Sequence, residues 1–308
     1  ANGNVVGNIG GVTNVYQFAS TGVTVTGIAT PGSFITLNIG ALQNIPLVTD
    51  ADGNWTYTLS SSDITTLGQG AHAVSGSAII LDANFIIASE TSLGASAFVL
   101  DTLIPTAPSI VSFVDDTGTL GDHITKDNTP SLSGVAEANS LVTIYLDGTA
   151  QGAAKADASG NWNFTAPSVV ADGTHSYTVT ATDAAGNVSP SSTAMSLKVD
   201  TAAPSIGALS LTNFIDTGIS SSDGITSDHL VGLSLSSSEA GASVVYQVSR
   251  DSGVTWTTTT TSATTYTPDG IYAFRATATD TAGNISYSNT LTTNLDTTAP
   301  TVIITSDT

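Results

Sequence analysis

The chain has no cysteine, so no disulfide staples the fold and no thiolate is present as a nucleophile or soft-metal ligand. Basic residues are scarce: Lys126, Lys155, Lys198, Arg250 and Arg275 stand against 25 acidic residues, a formal net charge of -20. Such a surface repels phosphate backbones and anionic lipid head groups, which excludes nucleic acid as a partner. No stretch approaches the ~20 continuous apolar residues of a membrane-spanning helix, so membrane insertion is not expected; no basic-then-apolar leader opens the sequence, which says little because both ends read as cut from a longer protein. Charge of either sign is rare at 10% of residues, and helix-favouring composition is rare with it.

What is present favours strands and turns. Thr, Ser, Val and Ala dominate, and 29 Gly and 10 Pro are scattered throughout the 308 residues. The length suits two or three domains, each burying its own core.

Self-comparison supplies the organisation. Asp200-Thr-Ala-Ala-Pro204 recurs as Asp296-Thr-Thr-Ala-Pro300, their aspartates 96 positions apart, and Asp101-Thr-Leu-Ile-Pro105-Thr-Ala-Pro108 is a longer version. These phrases read as linkers. Between them Asp116-Thr-Gly118 matches Asp216-Thr-Gly218, and Asp122-His-Ile-Thr-Lys-Asp127 matches Asp223-Gly-Ile-Thr-Ser-Asp228. Ala181-Thr-Asp-Ala-Ala-Gly-Asn187 matches Ala278-Thr-Asp-Thr-Ala-Gly-Asn284, and each such phrase reads as a hairpin turn. The expected modules are 1–104, divergent and without an Asp-Thr-Gly loop, then 105–203 and 204–299, with 300–308 opening a truncated further module. Thr174 to Ala181 and Ile271 to Ala278 place every second side chain on one face, as half-buried antiparallel strands require. Modules of about 100 residues with strands at this spacing predict immunoglobulin-like sandwiches. The fold class is therefore all-β, tandem immunoglobulin-like β-sandwiches forming an elongated rod, roughly 120 Å long at about 3.3 Å per strand residue. Trp55 and Trp162 follow Gly-Asn turns and are expected to plug their cores; Tyr246, Trp256, Tyr266 and Tyr272 are assigned to the core as well.

These phrases resemble the bacterial immunoglobulin-like repeats of giant type I-secreted, non-fimbrial adhesins. The resemblance is carried by the Asp-Thr-x-x-Pro linkers, Asp-Thr-Gly, Asp127-Asn-Thr-Pro130, Gly134-Val-Ala-Glu137, Gly160-Asn-Trp162, Asp172-Gly-Thr-His175 and Thr182-Asp-Ala-Ala-Gly-Asn187. In the third module Gly253-Val-Thr-Trp256 replaces Gly-Asn-Trp. The resemblance implies a secreted fibre on the bacterial cell surface, associated with virulence, whose full-length form reaches host cell-surface glycans. It also implies calcium between and within modules.

The residues point to calcium as well. Asp115, Asp116, Asp122 and Asp127 fall within thirteen residues, and unit charges about 4 Å apart repel by roughly 1 kcal/mol even in water. Hard oxygen ligands without cysteine and with few histidines suit calcium rather than zinc. Sandwich topology is expected to gather Asp101, Glu137 and Asp183 at one linker and Asp200, Glu239 and Asp280 at the next. Asp116 and Asp122, and likewise Asp216 and Asp223, are expected near the downstream linker, with Asp127, Asp228 and Asp296 as further ligands. The alternative is Asx-turn chemistry, each carboxylate bonded to its own backbone. His123 and His229 are expected to be solvated turn residues. An enzyme is not expected: adjacent Asp115 and Asp116 would face opposite ways, and the acidic sets recur once per module, unlike a unique active site. The run Thr257 to Thr261 reads as an edge strand and loop. The expected partners are neighbouring modules of the same chain, in a monomer, with glycan recognition by the modules themselves as the rival reading.

Overall fold

The computed structural model describes residues 4–5, 16–18 and 23–301; residues 302–308, assigned above to a further module, lie outside them, as does most of the stretch before Val23. The fold is nearly all β, with one α-helix among the described residues, Ser61–Leu67. Two compact units divide the chain: 1–112 with 132–164 and 177–195, and 113–131 with 165–176 and 196–308. The division runs through the second repeat, so each linker falls in one unit together with the loops that touch it.

In the first unit, a five-stranded sheet runs in the order Tyr16–Phe18, Ile87–Leu100, Gly70–Leu81, Phe34–Ile39 and Leu42–Val48, and a three-stranded sheet in the order Asn4–Val5, Thr24–Ile28 and Asn54–Thr58. Ile35, Leu37, Ile39, Phe98 and Leu100 of the first sheet enclose Trp55 of the second. The Trp55 ring lies where a Cβ on Gly27 would stand, 2.3 Å from Cζ2, so the facing strand keeps a glycine. The second repeat copies this pair, with Gly134 2.5 Å from Cζ2 of Trp162 by the same measure. Both indoles are buried, as the sequence predicts. Leu141–Leu146 pairs antiparallel with Thr149–Lys155 and with Gly173–Thr182, in the register Leu141↔Thr182 to Leu146↔Tyr177. The alternation predicted for Thr174 to Ala181 is present, with Tyr177, Val179 and Ala181 inward.

The turns before both tryptophans are built alike. Asp50 Oδ1 accepts the N–H groups of Asp52 and Asn54, and Asp157 Oδ1 those of Ser159 and Asn161. Gly53 and Gly160 each take φ of 85°, where a side chain is disfavoured. Donated hydrogen bonds, above all from Asn54 and Asn161, hold both carboxyls below the ordinary value of 3.8.

In the second unit, the larger sheet runs in the order Ile225–Thr226, Leu291–Leu295, Gly270–Thr279, Ser243–Ser249 and Thr257–Thr259, with Ile285–Tyr287 pairing on Gly270–Thr279. Thr257–Thr259 is its edge strand, as expected. Tyr266, Tyr272 and Phe274 form the core opposite Leu209, Val231 and Leu233, with the Tyr266 ring 5.4 Å from Tyr272 and 5.2 Å from Phe274. Trp256 is not in that core. Its ring lies under the Arg275 guanidinium at 4.0 Å, and Tyr287 lies 4.6 Å from the same group. The reason is placement: Trp162 lies in Asn161–Thr165, which pairs on Ser131–Val135 in a three-stranded sheet, whereas Trp256 directly precedes Thr257–Thr259, which pairs on Ser243–Ser249 in the larger sheet. The strand that pairs on Leu230–Leu235 here is Thr264–Thr265, and Tyr266 after it supplies the buried ring. Ile124–Thr125 pairs parallel with Met195–Val199 and Ile225–Thr226 with Leu291–Leu295, as Asn4–Val5 does with Thr24–Ile28 and Tyr16–Phe18 with Ile87–Leu100 in the first unit.

Candidate functional site

Both Thr-Asp-x-Ala-Gly-Asn phrases fold as the expected hairpin turns. Asp183 Oδ1 accepts the N–H groups of Gly186 and Asn187, and Asp280 Oδ1 that of Asn284. The asparagine at the end of each turn then reaches the linker. Asn187 Nδ2 donates to Asp183 Oδ2 at 2.7 Å and to the Asp101 carbonyl at 2.9 Å; Asn284 Nδ2 donates to Asp280 Oδ2 at 2.8 Å and to the Asp200 carbonyl at 2.7 Å.

The next linker residue is a threonine, held from the other side. Thr201 donates through its N–H and Oγ1 to Asp172, and Thr297 does the same to Asp269. At the first linker Gln69 substitutes, accepting the Thr102 N–H at Oε1 and donating through Nε2 to the Thr102 hydroxyl. Asp101-Thr102 and Asp200-Thr201 are thus each gripped on both flanks. Sequence reasoning gave no site role to Gln69, Asp172 or Asp269; their signal is that each stands immediately before a glycine that opens a long strand, Gly70, Gly173 and Gly270.

Most of the predicted ligands make Asx-turn hydrogen bonds. Asp101 Oδ1 accepts from Leu103, Asp122 from Ile124, Asp127 from Thr129, Asp223 from Ile225, Asp228 from Leu230 and Asp296 from Thr298. Glu239 Oε2 accepts the Ser205 N–H at 3.0 Å, while Glu137 is exposed. The set Asp200, Glu239 and Asp280 contains a cation of its own: Lys198 Nζ lies 2.9 Å from Asp200 Oδ2. The hydrogen bond and charge of Asp200, followed by the charges of Asp280 and Glu239, raise the Lys198 pKa. At the first linker the same position is Val99. Among the described residues no three His, Asp or Glu side chains converge on a point suited to a metal ion.

Asp116 and Asp216 differ from the rest. One oxygen of each is used, Oδ2 accepting from Gly121 and from Gly224 respectively. Oδ1 of each is buried without a hydrogen-bond partner. A buried carboxylate oxygen left without a donor is costly, and here it recurs at the same place in two repeats.

The histidines are turn residues of unequal kind. His123 is exposed, with Nδ1 3.2 Å from the Ser196 carbonyl. His229 is not solvated as expected: its side chain is 17% exposed and its Nε2 lies 3.0 Å from Asp269 Oδ1. The carboxylate that grips Thr297 therefore reaches His229 too.

Comparison with known proteins gives one family: the model described as "Bacterial Ig-like domain" matches residues 104–201 and 203–297. A curated relative, Exoglucanase B of Cellulomonas fimi, is 35% identical over 171 residues, 49% of this chain and 14% of that protein. The chain thus spans a small part of that relative. Among solved structures, a region of a 1.5-MDa bacterial ice-binding adhesin is similar at 16% identity and TM-score 0.41, covering 91% of this chain and 93% of that one. The fibronectin(III)-like modules of Clostridium thermocellum CbhA are similar at 13% identity and TM-score 0.39, covering 61% of this chain and 90% of that one.

Proposed function

The chain belongs to the bacterial Ig-like domain family, and from that premise we propose that it is a non-catalytic spacer in a secreted bacterial surface adhesin, a monomeric line of modules bounded near residues 104, 203 and 299. The spacer holds a binding region away from the cell, where the full-length protein meets host cell-surface glycans. The observation that carries this reading is the two-sided grip on the linkers. Asp101-Thr102 is bonded to Asn187 on one flank and Gln69 on the other, and Asp200-Thr201 to Asn284 and Asp172. A loose Pro-containing linker would leave its neighbours free to swing; polar clamps on both flanks oppose that.

Calcium adds to the stiffness in this reading. The donor chemistry fits at Asp116 and Asp216, where a buried carboxylate oxygen lacks a partner, and each of these residues would help to hold an ion in its own repeat. The set around Asp200 fits less well, because Lys198 already neutralises it. A bound divalent cation would offset the carboxylate charge and tie the loop that carries it. Extracellular modules fill such sites at about 0.1–1 mM, which would couple stiffening to export.

Small-angle X-ray scattering in millimolar calcium and again in excess chelator tests the reading. A maximum dimension near the ~120 Å expected from strand lengths in both conditions, with broader flexibility in chelator, supports a calcium-stiffened spacer. Identical profiles remove calcium from the proposal and leave the clamps. A collapsed particle in both removes the spacer.

A further inference from the structure

In the second unit, the loop after Phe113 seats on the hairpin turn 280–284. Thr117 Oγ1 donates to the Ala282 carbonyl at 2.6 Å, the Thr119 N–H to that of Thr281 at 3.2 Å and Lys126 Nζ to that of Gly283 at 2.9 Å. The approach is so close that a Cβ on Gly118 would stand 2.1 Å from the Thr281 oxygen. Glycine at that position answers to the neighbouring turn.

The same loop recurs at 215–228 with the same internal bonding. Thr226 Oγ1 donates to the Ile215 carbonyl as Thr125 Oγ1 does to that of Asp115. The Ser227 N–H donates to Thr217 Oγ1 at 2.7 Å as the Lys126 N–H does to Thr117 Oγ1 at 2.8 Å. Yet a Cβ on Gly218 would meet nothing within 4 Å, and Ile219, which stands where Thr119 does, is 110% exposed. The loop keeps the threonine, the glycine and an exposed residue at position 219, and among the described residues no turn lies against it.

We propose that residues 216–219 are a docking seat for the Thr-Asp-x-Ala-Gly-Asn turn of a further bacterial Ig-like module following the Asp296 linker. Thr217 Oγ1 and the Ile219 N–H donate to that turn's carbonyls as Thr117 and Thr119 do to Ala282 and Thr281. Ser227 replaces Lys126, so this seat lacks the lysine bond. The proposal rests on the family and on the observed seat at 117–119, and needs neither calcium nor a role in adhesion.

Because the chain has no cysteine, disulfide trapping reads the contact directly. The reference is the present chain carrying Thr119→Cys and Thr281→Cys. The test is a chain with a second copy of residues 205–300 directly after Pro300, carrying Ile219→Cys and, in the second copy only, Thr281→Cys. Both are oxidised mildly in chelator, after a melt under reducing conditions has shown them folded. Cross-linking of both pairs at similar rates is the expected result. Adding Gly218→Val to the test chain should slow it by roughly tenfold, as an energetic conflict of ~1.4 kcal/mol would. A reference pair that cross-links while the test pair stays reduced overturns the proposal, and so does a reference pair that fails, since the seat itself is then absent.

Discussion

Replacing Asn187 by alanine should loosen the first linker without dismantling the turn that holds it. Asn187 is 8% exposed, so water cannot take the place of its amide. The substitution deletes the Nδ2 bonds to Asp183 Oδ2 at 2.7 Å and to the Asp101 carbonyl at 2.9 Å. The residue 187 N–H still bonds to Asp183 Oδ1 at 2.8 Å, which preserves the turn. A hydrogen bond to a charged group contributes about 1.5–3 kcal/mol and one between neutral groups about 0.5–1.5, so the expected loss is about 2–4 kcal/mol. For a module of ~100 residues this lowers the melting transition by roughly 8–20 °C. Differential scanning calorimetry should resolve it as the shift of one transition, and hydrogen exchange at Thr102 and Leu103 should quicken in step. Asn284→Ala should do the same at the second linker. Two variants that melt within ~2 °C of the parent, with linker exchange unchanged, would refute the view that these asparagines are clamps.

Gly134→Ala should destabilise its module by about 1–3 kcal/mol in urea unfolding, because the new methyl would stand 2.0 Å from the Ser109 oxygen and 2.5 Å from the Trp162 ring. Trp162→Ala should cost about 3–5 kcal/mol, whereas Trp256→Ala, which removes a half-exposed ring stacked on Arg275, should cost about 1 kcal/mol or less; similar losses at the two sites would contradict the placement of Trp162 in the core and Trp256 at the surface. Acid should destabilise the fold through its turns: Thr255 hydrogen bonds draw the Asp251 carboxyl down to about 2, and Asp50 and Asp157 also lie below 3.8. Since these folded values are lowered, the stability they confer is complete above the unfolded value and is lost as pH falls through the folded ones, so the melting temperature should decline below about pH 4. Asp251→Asn should flatten that decline, and an unchanged slope would count against the turn assignment.

Much of this was legible in the sequence because the repeats announce their local chemistry. Asp-x-x-Gly-Asn specifies a turn by its carboxylate and its glycine, and an alternating run after it specifies a strand; Trp55 and Trp162 followed from that grammar. Trp256 did not, because its Gly-x-x-Trp phrase imitates Gly-Asn-Trp while leading into the strand that pairs on Ser243–Ser249, not into the counterpart of Asn161–Thr165. The helix Ser61–Leu67 was also missed, although Ser60 and Asp63 form a capping box that four consecutive polar residues disguise as a loop. The carboxylates were correctly placed in turns and beside linkers. Their partners were not legible, since a backbone N–H leaves no mark in sequence and Lys198 meets Asp280 and Glu239 only through the fold. Gln69 at the place of Asp172 and Asp269 shows why the linker grip went unseen: the hydrogen-bonding role is repeated where the residue type is not.

The parallel pairing noted in the fold bears on load. Tension between a point upstream of Ile124 and the linker at Asp200 pulls two parallel strands in opposite directions along their length. The bonds from the Lys198 N–H to the His123 carbonyl and from the Asp200 N–H to the Thr125 carbonyl then resist in shear, together instead of one after another as in an unzipping hairpin. Ile225–Thr226 and Leu291–Leu295 repeat the arrangement, with Asn294 bonded to Gly224 and Asp296 to Thr226. Under such tension the force would pass through these two short ladders, which would make them the mechanical fuses of their modules.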